Sequence, residues 1–511
     1  MPRKLMPVAL LLVWFSMAFA CTRAAPGARA WRPIESTQTV AANSQNADGP
    51  TRHSLLPATR APGAPILTPT PDPARILPTQ RVESMQYMVK PSDTLGKIAQ
   101  RYGVQVTTLV AVNDIANPDL LEPGQVLTIP PAEPRAPGPD EKVIPDSELV
   151  FGPNSANFDL NTFIAGQKGY LRDYQEEING ELYTGAEVID RVSRENSVNP
   201  RLLLAVLDYT SGWVTQTYIS EKNQAYPLLL ANPRYEGLYK QLGWAANNLD
   251  RGYYLWRANA VPSWVLADGA VIPASPIINA GTAGVQYFFS LLFDTANWTE
   301  AVTENGLLDT YSALFGYPFD LAVEPLIPAD LAQPPMVLPF EPGNLWAFTG
   351  GPHGGWADGS GWAAIDFAPP GEPLGCVTSE WWVTAVADGV IIRAKDGAVV
   401  QDLDGDGLEQ TGWTVLYMHI ESQERVQPGD TIQAGERIGH PSCEGGFSTG
   451  THLHLARRYN GEWIPADGPL PFNLDGWLSK GDGAQYNGFL IKDGVVIEAM
   501  EGVRTENQIE R

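Results

Sequence analysis

The chain has 511 residues, 44% of them hydrophobic, with 58 acidic against 34 basic side chains and a formal net charge of -24. That length exceeds one domain and predicts about three, and the apolar content is enough for real cores. The acidic balance excludes a nucleic-acid partner, which needs a basic face; the acidity reads as a solubility feature.

Residues 1–20 predict a signal peptide. Arg3 and Lys4 supply its charge, and the apolar run over 8–20 is too short to cross a bilayer comfortably. Ala18-Phe19-Ala20 then precedes Cys21, which resembles a bacterial lipoprotein signal. The resemblance implies acylation of Cys21 and attachment to a membrane surface. Ala-Phe-Ala is equally an ordinary cleavage site, which leaves a soluble secreted form as the alternative. Either way the protein is expected to be exported. Residues 21–85 are rich in Pro, Ala, Thr and Ser without a hydrophobic period, and predict a disordered, extended tether. His53 lies in it and is given no metal role.

Residues 86–131 change character. Tyr87-Met88-Val89 predicts a strand. Ser92-Asp93-Thr94-Leu95 predicts a capped helix start, Ile98, Ala99 and Tyr102 continue its apolar face, and Gly103 closes it. A second helix is expected over 106–113, then a turn at Pro123-Gly124-Gln125 and a strand at Val126-Leu127-Thr128-Ile129-Pro130. This small α+β pattern, with Ile98-Ala99, Asn113 and Leu121, resembles a LysM module. The resemblance implies binding of glycans that contain N-acetylglucosamine. It places the sugar groove between the loop at Asp93 and Thr94 and the loop from Asn117 to Leu120. Taken singly, Leu95, Ile98 and Asn113 are core and cap residues.

Residues 132–147 read as a second Pro-rich linker, and 148–335 as a mainly α-helical domain. Val188 to Val192 has helical spacing. Asn199-Pro200 is an N-cap with proline at the first helical position, ahead of a buried helix over 202–207. Asn279-Ala280-Gly281-Thr282-Ala283-Gly284 leads into another helix. The run from Asn199 to Ala205 and on into Ser211-Gly212-Trp213 faintly resembles the lysozyme-like lytic transglycosylases. Their general-acid glutamate precedes the Ser-Gly pair, where this chain has Thr210. Threonine cannot protonate a glycosidic oxygen, and Asp208 is expected to face elsewhere. The domain is therefore read as a non-catalytic spacer or glycan-binding scaffold.

Residues 336–511 predict mainly antiparallel β structure, from short strands between Gly, Pro and Asp turns. In Ser448-Thr449-Gly450-Thr451-His452-Leu453-His454-Leu455, strand alternation puts His452 and His454 on one face and both leucines on the other. Neutral imidazole is the commonest protein ligand for zinc. Ahead of this stretch lie Thr349-Gly350-Gly351-Pro352-His353-Gly354-Gly355, Ala364-Ile365-Asp366-Phe367-Ala368 and Leu416-Tyr417-Met418-His419. In this order they resemble the lysostaphin-type zinc metallopeptidases, a family of bacterial peptidoglycan endopeptidases. Val386-Ala387-Asp388-Gly389-Val390 fits that pattern as the turn of a buried strand pair. The resemblance implies one zinc ion held by His353, Asp366 and His454 with a position left open. His452 and His419 would stay free of metal, as proton carriers and oxyanion donors.

One departure stands out. Residues 354–365 separate His353 from Asp366, a much longer spacing than the family's. The insertion is expected to loop back, and Asp358 is the alternative carboxylate within it. If Cys21 carries lipid, Cys376 and Cys443 remain as an even pair, and export permits a disulfide between them; two buried thiols are the alternative. Asp402-Leu403-Asp404-Gly405-Asp406-Gly407 looks like the start of a calcium loop, but Trp413 holds the position of the closing carboxylate. A hairpin turn with an acidic tip is the preferred reading. His440 is taken as a groove or loop residue.

Three functions compete. The first is an active endopeptidase that cuts peptide stems or cross-bridges of peptidoglycan, targeted by the LysM module. The second is a lipoprotein that has lost its ligands and activates another wall hydrolase. The third is a glycan-binding anchor with a vestigial enzyme domain. The ligand set is whole, which favours the first. The expected site of action is extracytoplasmic, at the membrane surface or in the wall.

Overall fold

The computed structural model describes residues 64–77, 82–91, 93–118, 120–131, 136–371 and 375–511. The signal peptide, Cys21 and His53 lie outside them. Among the described residues no helix is long and apolar enough to cross a membrane.

The first domain runs β1 (Met85–Met88), α1 (Leu95–Tyr102), α2 (Val106–Val112) and β2 (Val126–Ile129). The strands pair antiparallel, Met85 opposite Ile129. Thr94 caps α1, its hydroxyl accepting from Lys97 N–H at 3.2 Å. Gly103 ends α1 in the left-handed region. Leu95, Ile98 and Ala99 then meet Leu109, Leu127 and Ile129 in a small closed core. The Asn113 side chain joins α2 to β2 by bonding the Leu109 carbonyl and both backbone groups of Thr128.

The helical domain comprises α3 (Asp146–Leu149), α4 (Leu160–Gly166), the hairpin of β3 (Gln175–Ile178) and β4 (Glu181–Thr184), α5 (Gly185–Asn196), α6 (Pro200–Ser211), α7 (Glu221–Ala225) and α8 (Leu238–Arg257). The hairpin of β5 (Ser263–Val265) and β6 (Val271–Pro273) follows, then α9 (Ala280–Ser290), α10 (Thr295–Ala301) and α11 (Asp309–Phe315). Thr184 and Glu187 form a capping box on α5. Asn199 caps α6, whose residues 200–207 are all buried. Glu148 sits inside the domain, paired with Arg201 at 2.7 Å and bonded to Tyr311. Two segments whose composition predicts tether or linker are tied to this domain. Asp72 and Arg75 donate backbone bonds to the Ile277 and Pro276 carbonyls, Asp72 pairs with Lys142 at 2.6 Å, and Val143 and Ile144 are buried in the helical core.

The last domain is built on an antiparallel sheet. Its strands are β7 (Leu345–His353), β8 (Ala364–Ala368), β10 (Gly389–Lys395), β11 (Ala398–Asp402), β12 (Trp413–Met418), β13 (Thr431–Ile432), β15 (Leu453–Tyr459), β16 (Glu462–Trp463) and β21 (Gln508–Glu510). The order is β13-β10-β11-β12-β15-β8-β7-β21, with β16 on β15. β9 (Val383–Thr384) and β14 (Arg437–Gly439) form a separate pair, and β17 (Asn473–Leu474), β18 (Trp477–Gly481), β19 (Gly488–Lys492) and β20 (Val495–Glu498) a further sheet. Residues 385–388 therefore carry the chain from one sheet to another, where the sequence suggested the turn of one strand pair.

Period-two alternation sorts the main sheet's side chains. Ile365, Phe367, Val399, Val415, Tyr417, Leu453 and Leu455 fill the domain's own core. Ala364, Ala398, Val400, Leu416, Met418 and Ala456 face the other way and join the helical domain's core. Buried charges complete that interface. Glu409, between β11 and β12, takes Arg393 at 2.8 Å, Arg458 at 2.7 Å and, from α5, Arg194 at 3.3 Å. Burial alone would raise the Glu409 carboxyl; Arg393, Arg458 and Arg194 hold it far below the ordinary carboxylate range.

Glu409→Ala leaves three arginines without their shared anion. It should cost about 3–5 kcal/mol of stability, read by chemical denaturation of the full chain. A depressed folded-state pKa means that the contribution is complete above the unfolded value of about 4.3 and is lost as pH falls below it. The stability of Glu409→Gln, measured by denaturant unfolding at a series of pH values, should consequently fall less steeply below that value than the wild type's.

Candidate metal centre

Four adjacent strands bring the site together. On β15, His454 lies opposite Asp366 of β8 and opposite Met418, the last residue of β12. His353 ends β7, whose register with β8 shifts between Phe348 and Gly350 and again between Gly350 and His353. Such irregularities re-aim side chains. Gly350 faces Asp366 directly, and a Cβ there would overlap the carboxylate.

His353 Nε2 and His454 Nδ1 lie 2.9 Å apart, and Asp366 Oδ1 is 3.2 Å from the first and 3.3 Å from the second. All three residues are buried. The protons on the two rings are assigned by their other nitrogens. His353 Nδ1 is 2.8 Å from the Gly351 carbonyl, and His454 Nε2 is 3.0 Å from the Gly355 carbonyl. Each must donate there, because a carbonyl only accepts. The inward nitrogens are then lone pairs, and they converge on a buried carboxylate oxygen that has no hydrogen-bond partner of its own. Burial pushes the His454 imidazole down, towards the neutral form such a site needs. Three acceptors aimed at one point fit a cation. Two imidazoles with one carboxylate are the donor set of a catalytic zinc.

The two further histidines flank this group. His452 Nδ1 is 2.8 Å from the Gly450 carbonyl, and its Nε2 is 3.9 Å from Asp366 Oδ1. His419 follows β12 with φ of 65°, a left-handed conformation that is uncommon outside glycine. Its Nδ1 is 2.9 Å from the Glu444 carbonyl, and its ring centre is 4.5 Å from that of His452. Burial first, then His452 and His454, push its pKa down to about 3. Leu453 and Leu455 are fully buried on the opposite face, as alternation predicts.

Other candidates fall elsewhere. Asp358, the carboxylate within the insertion, does not join the group of His353, Asp366 and His454 and pairs with Arg251 of α8 at 2.6 Å. His440 is bonded to the Trp381 carbonyl at 2.7 Å and to Glu424 at 3.2 Å. Asp402, Asp404 and Asp406 cluster in the β11–β12 turn, where each carboxylate accepts from a backbone N–H two residues on. Cys376 and Cys443 form a disulfide, with Cα atoms 5.7 Å apart. In the first domain Asp93 accepts from the Tyr87 hydroxyl at 2.6 Å and from Lys90 N–H at 2.8 Å, Thr94 is the helix cap, the Asn117 carbonyl accepts from Leu120 N–H, and Leu120 is 67% exposed. Tyr486, between β18 and β19, stacks on the His353 ring with centres 4.2 Å apart. Nothing in the spacing of the motifs points to it.

Comparison with known proteins adds to this geometry. Residues 87–130 match the LysM domain, 142–328 the family described as LasA, N-terminal domain, and 362–465 peptidase family M23. The last span includes Asp366, His419, His452 and His454, while His353 precedes it. Protease LasA of Pseudomonas aeruginosa is 25% identical over 350 residues, 63% of this chain and 75% of the relative. Among solved structures, the M23 metalloprotease pseudoalterin from the deep sea is 24% identical, with a TM-score of 0.28 over 36% of this chain and 100% of that one. The catalytic domain of the antimicrobial peptidase lysostaphin from Staphylococcus simulans is 24% identical, with a TM-score of 0.18 over 24% of this chain and 87% of that one. The chain thus carries a LysM domain and, behind a helical region of the LasA N-terminal type, an M23 peptidase domain.

Proposed function

We propose that this protein is an exported, zinc-dependent endopeptidase that hydrolyses peptide bonds of bacterial peptidoglycan and is directed to the wall by its LysM domain. The observation that carries the reading is the convergence of His353 Nε2, His454 Nδ1 and Asp366 Oδ1, each free to accept and none to donate. The M23 match is its second support.

His353, Asp366 and His454 would hold the zinc, which when bound would supply Lewis-acid polarisation of the scissile carbonyl and a water made nucleophilic near neutral pH. The proton work falls to His452 and His419. With Nδ1–H bound to Gly450, His452 has Nε2 free to take the proton of the attacking water and return it to the leaving amine. His419, pinned through Nδ1 to Glu444, presents Nε2 beside it. There it can receive that same proton from His452, donate it to the oxygen that becomes negative, and give it back as the amine leaves. The substrate class is the peptide stems or cross-bridges of the wall, with N-acetylglucosamine glycan as the LysM ligand. The apolar segment before Cys21 supports export, and acylation of Cys21 would fix the chain to a membrane surface.

His454→Ala and Asp366→Ala should each abolish bound zinc, measured per chain by elemental analysis, together with muropeptide cleavage. His452→Ala should keep its zinc while cleavage falls by roughly 10²–10⁴-fold. Wild-type protein that binds no zinc and cleaves neither muropeptides nor oligoglycine would replace this reading with that of an activator. Deletion of residues 86–131 should sharply reduce co-sedimentation with purified peptidoglycan; unchanged sedimentation would move wall binding to another domain. Mass analysis of the mature N-terminal peptide should find acyl chains on Cys21, and an unmodified cysteine there would mean plain secretion.

A further inference from the structure

The insertion between His353 and Asp366 is gripped from outside its own domain. Asp358 Oδ1 accepts from Asn247 Nδ2 at 2.8 Å and from Arg251 Nη2 at 2.6 Å. Asn247 Oδ1 in turn accepts from Gly359 N–H at 2.7 Å. Asn247 and Arg251 are one turn apart on α8, so they present to the loop together. Gly359 allows the approach, since a Cβ there would overlap the Asn247 carbonyl. The Asp358 side chain is 60% exposed, and a lone ion pair of this kind holds little. Here the same carboxylate and its neighbouring N–H are caught at three points.

The grip is passed inward by short bonds. Ser360 Oγ donates to the Ala357 carbonyl at 2.7 Å and accepts from Trp356 N–H at 3.2 Å. Gly355 N–H donates to the Gly361 carbonyl at 3.0 Å and closes the neck of the loop. Trp463 presses on Gly355 from the other side, and Trp463 N–H is bonded to the hydroxyl of Tyr254, the next turn of α8, at 3.0 Å. Gly355 is the residue whose carbonyl receives His454 Nε2–H.

We propose that Asn247 and Arg251 of the helical domain are positioning residues for the metal site. By docking Asp358 and Gly359 they place the Gly355 carbonyl, which holds the proton of His454 on Nε2 and keeps Nδ1 open towards His353 and Asp366. The inference rests on the metallopeptidase reading and extends the site into a domain that contributes no ligand. Partners that orient a metal-bound histidine are commonly worth 10–100-fold in metal affinity.

Zinc affinity of the full-length chain, measured by competition with a chromophoric chelator, tests this. Asn247→Ala, Arg251→Ala and Asp358→Ala should each weaken zinc about 10-fold or more. The double variant Arg251→Ala/Asp358→Ala should be no weaker than either single one, and Arg251→Lys should recover part of the loss. Nitrogen-15 spectra of the metal-free protein should show His454 protonated on Nε2 in the wild type and as a tautomer mixture in Arg251→Ala. Lys395→Ala is the control. It breaks the 2.6 Å pair with Glu181, another contact between the same two domains far from the loop, and should leave affinity and tautomer unchanged. Unaltered affinity in Arg251→Ala and Asn247→Ala overturns the proposal while the metallopeptidase reading stands. Equal weakening in Lys395→Ala overturns it too, by making the effect one of general domain docking. A wild type without zinc removes both.

Discussion

The site depends on a repeated pairing of imidazole N–H with backbone carbonyl. His353, His419 and His452 each give Nδ1–H to a carbonyl, of Gly351, Glu444 and Gly450, and His454 gives Nε2–H to Gly355. A neutral imidazole has one donor and one acceptor. Committing each donor to the backbone turns every lone pair towards the same small volume. Backbone carbonyls do this without a titratable partner, so the arrangement does not rely on the charge of a further side chain.

The carbonyls come from turns, and the turns are held by distant parts of the chain. The Gly355 turn lies against α8, and the Glu444 turn lies beside the Cys376–Cys443 bridge. The sheet itself is shared. One face fills the peptidase domain's core; the other, which carries Asp366 and His454, continues into alanines, Val400 and Leu416 that pack on the helical domain. Glu409 with Arg194, Arg393 and Arg458 locks that face at the edge away from Asp366 and His454. A buried ion cluster of this kind is costly to break from one side, which makes the contact between the two domains specific.

Much of this was legible in the residues. The alternation of His452 and His454 with Leu453 and Leu455 has a period of two, and a strand can satisfy it in only one way. The caps at Thr94 and Asn199 are local chemistry, and both helices start where those residues stand. Long-range pairing left no such mark. Glu409 lies off the closing position that Trp413 holds in the calcium-loop pattern, and nothing nearby announces three arginines, one of them from another domain. Tyr486 reaches His353 only because the β18–β19 turn folds over β7. Val143 and Ile144 stand among prolines and charges, yet they are core residues because α9 offers them a surface. Composition describes what a segment does alone, and these segments are not alone.

The disulfide joins more than two sulfur atoms. Gly375 and Val377, on either side of Cys376, are hydrogen-bonded to Thr451, the residue before His452. Glu444, beside Cys443, supplies the carbonyl that seats His419. A single covalent bond thus ties together the supports of His419 and His452. Such bonds form outside the reducing cytoplasm. With the two thiols reduced, His419 and His452 lack this common brace. The seating of His419 and His452 is in this way coupled to the redox state of the chain's surroundings.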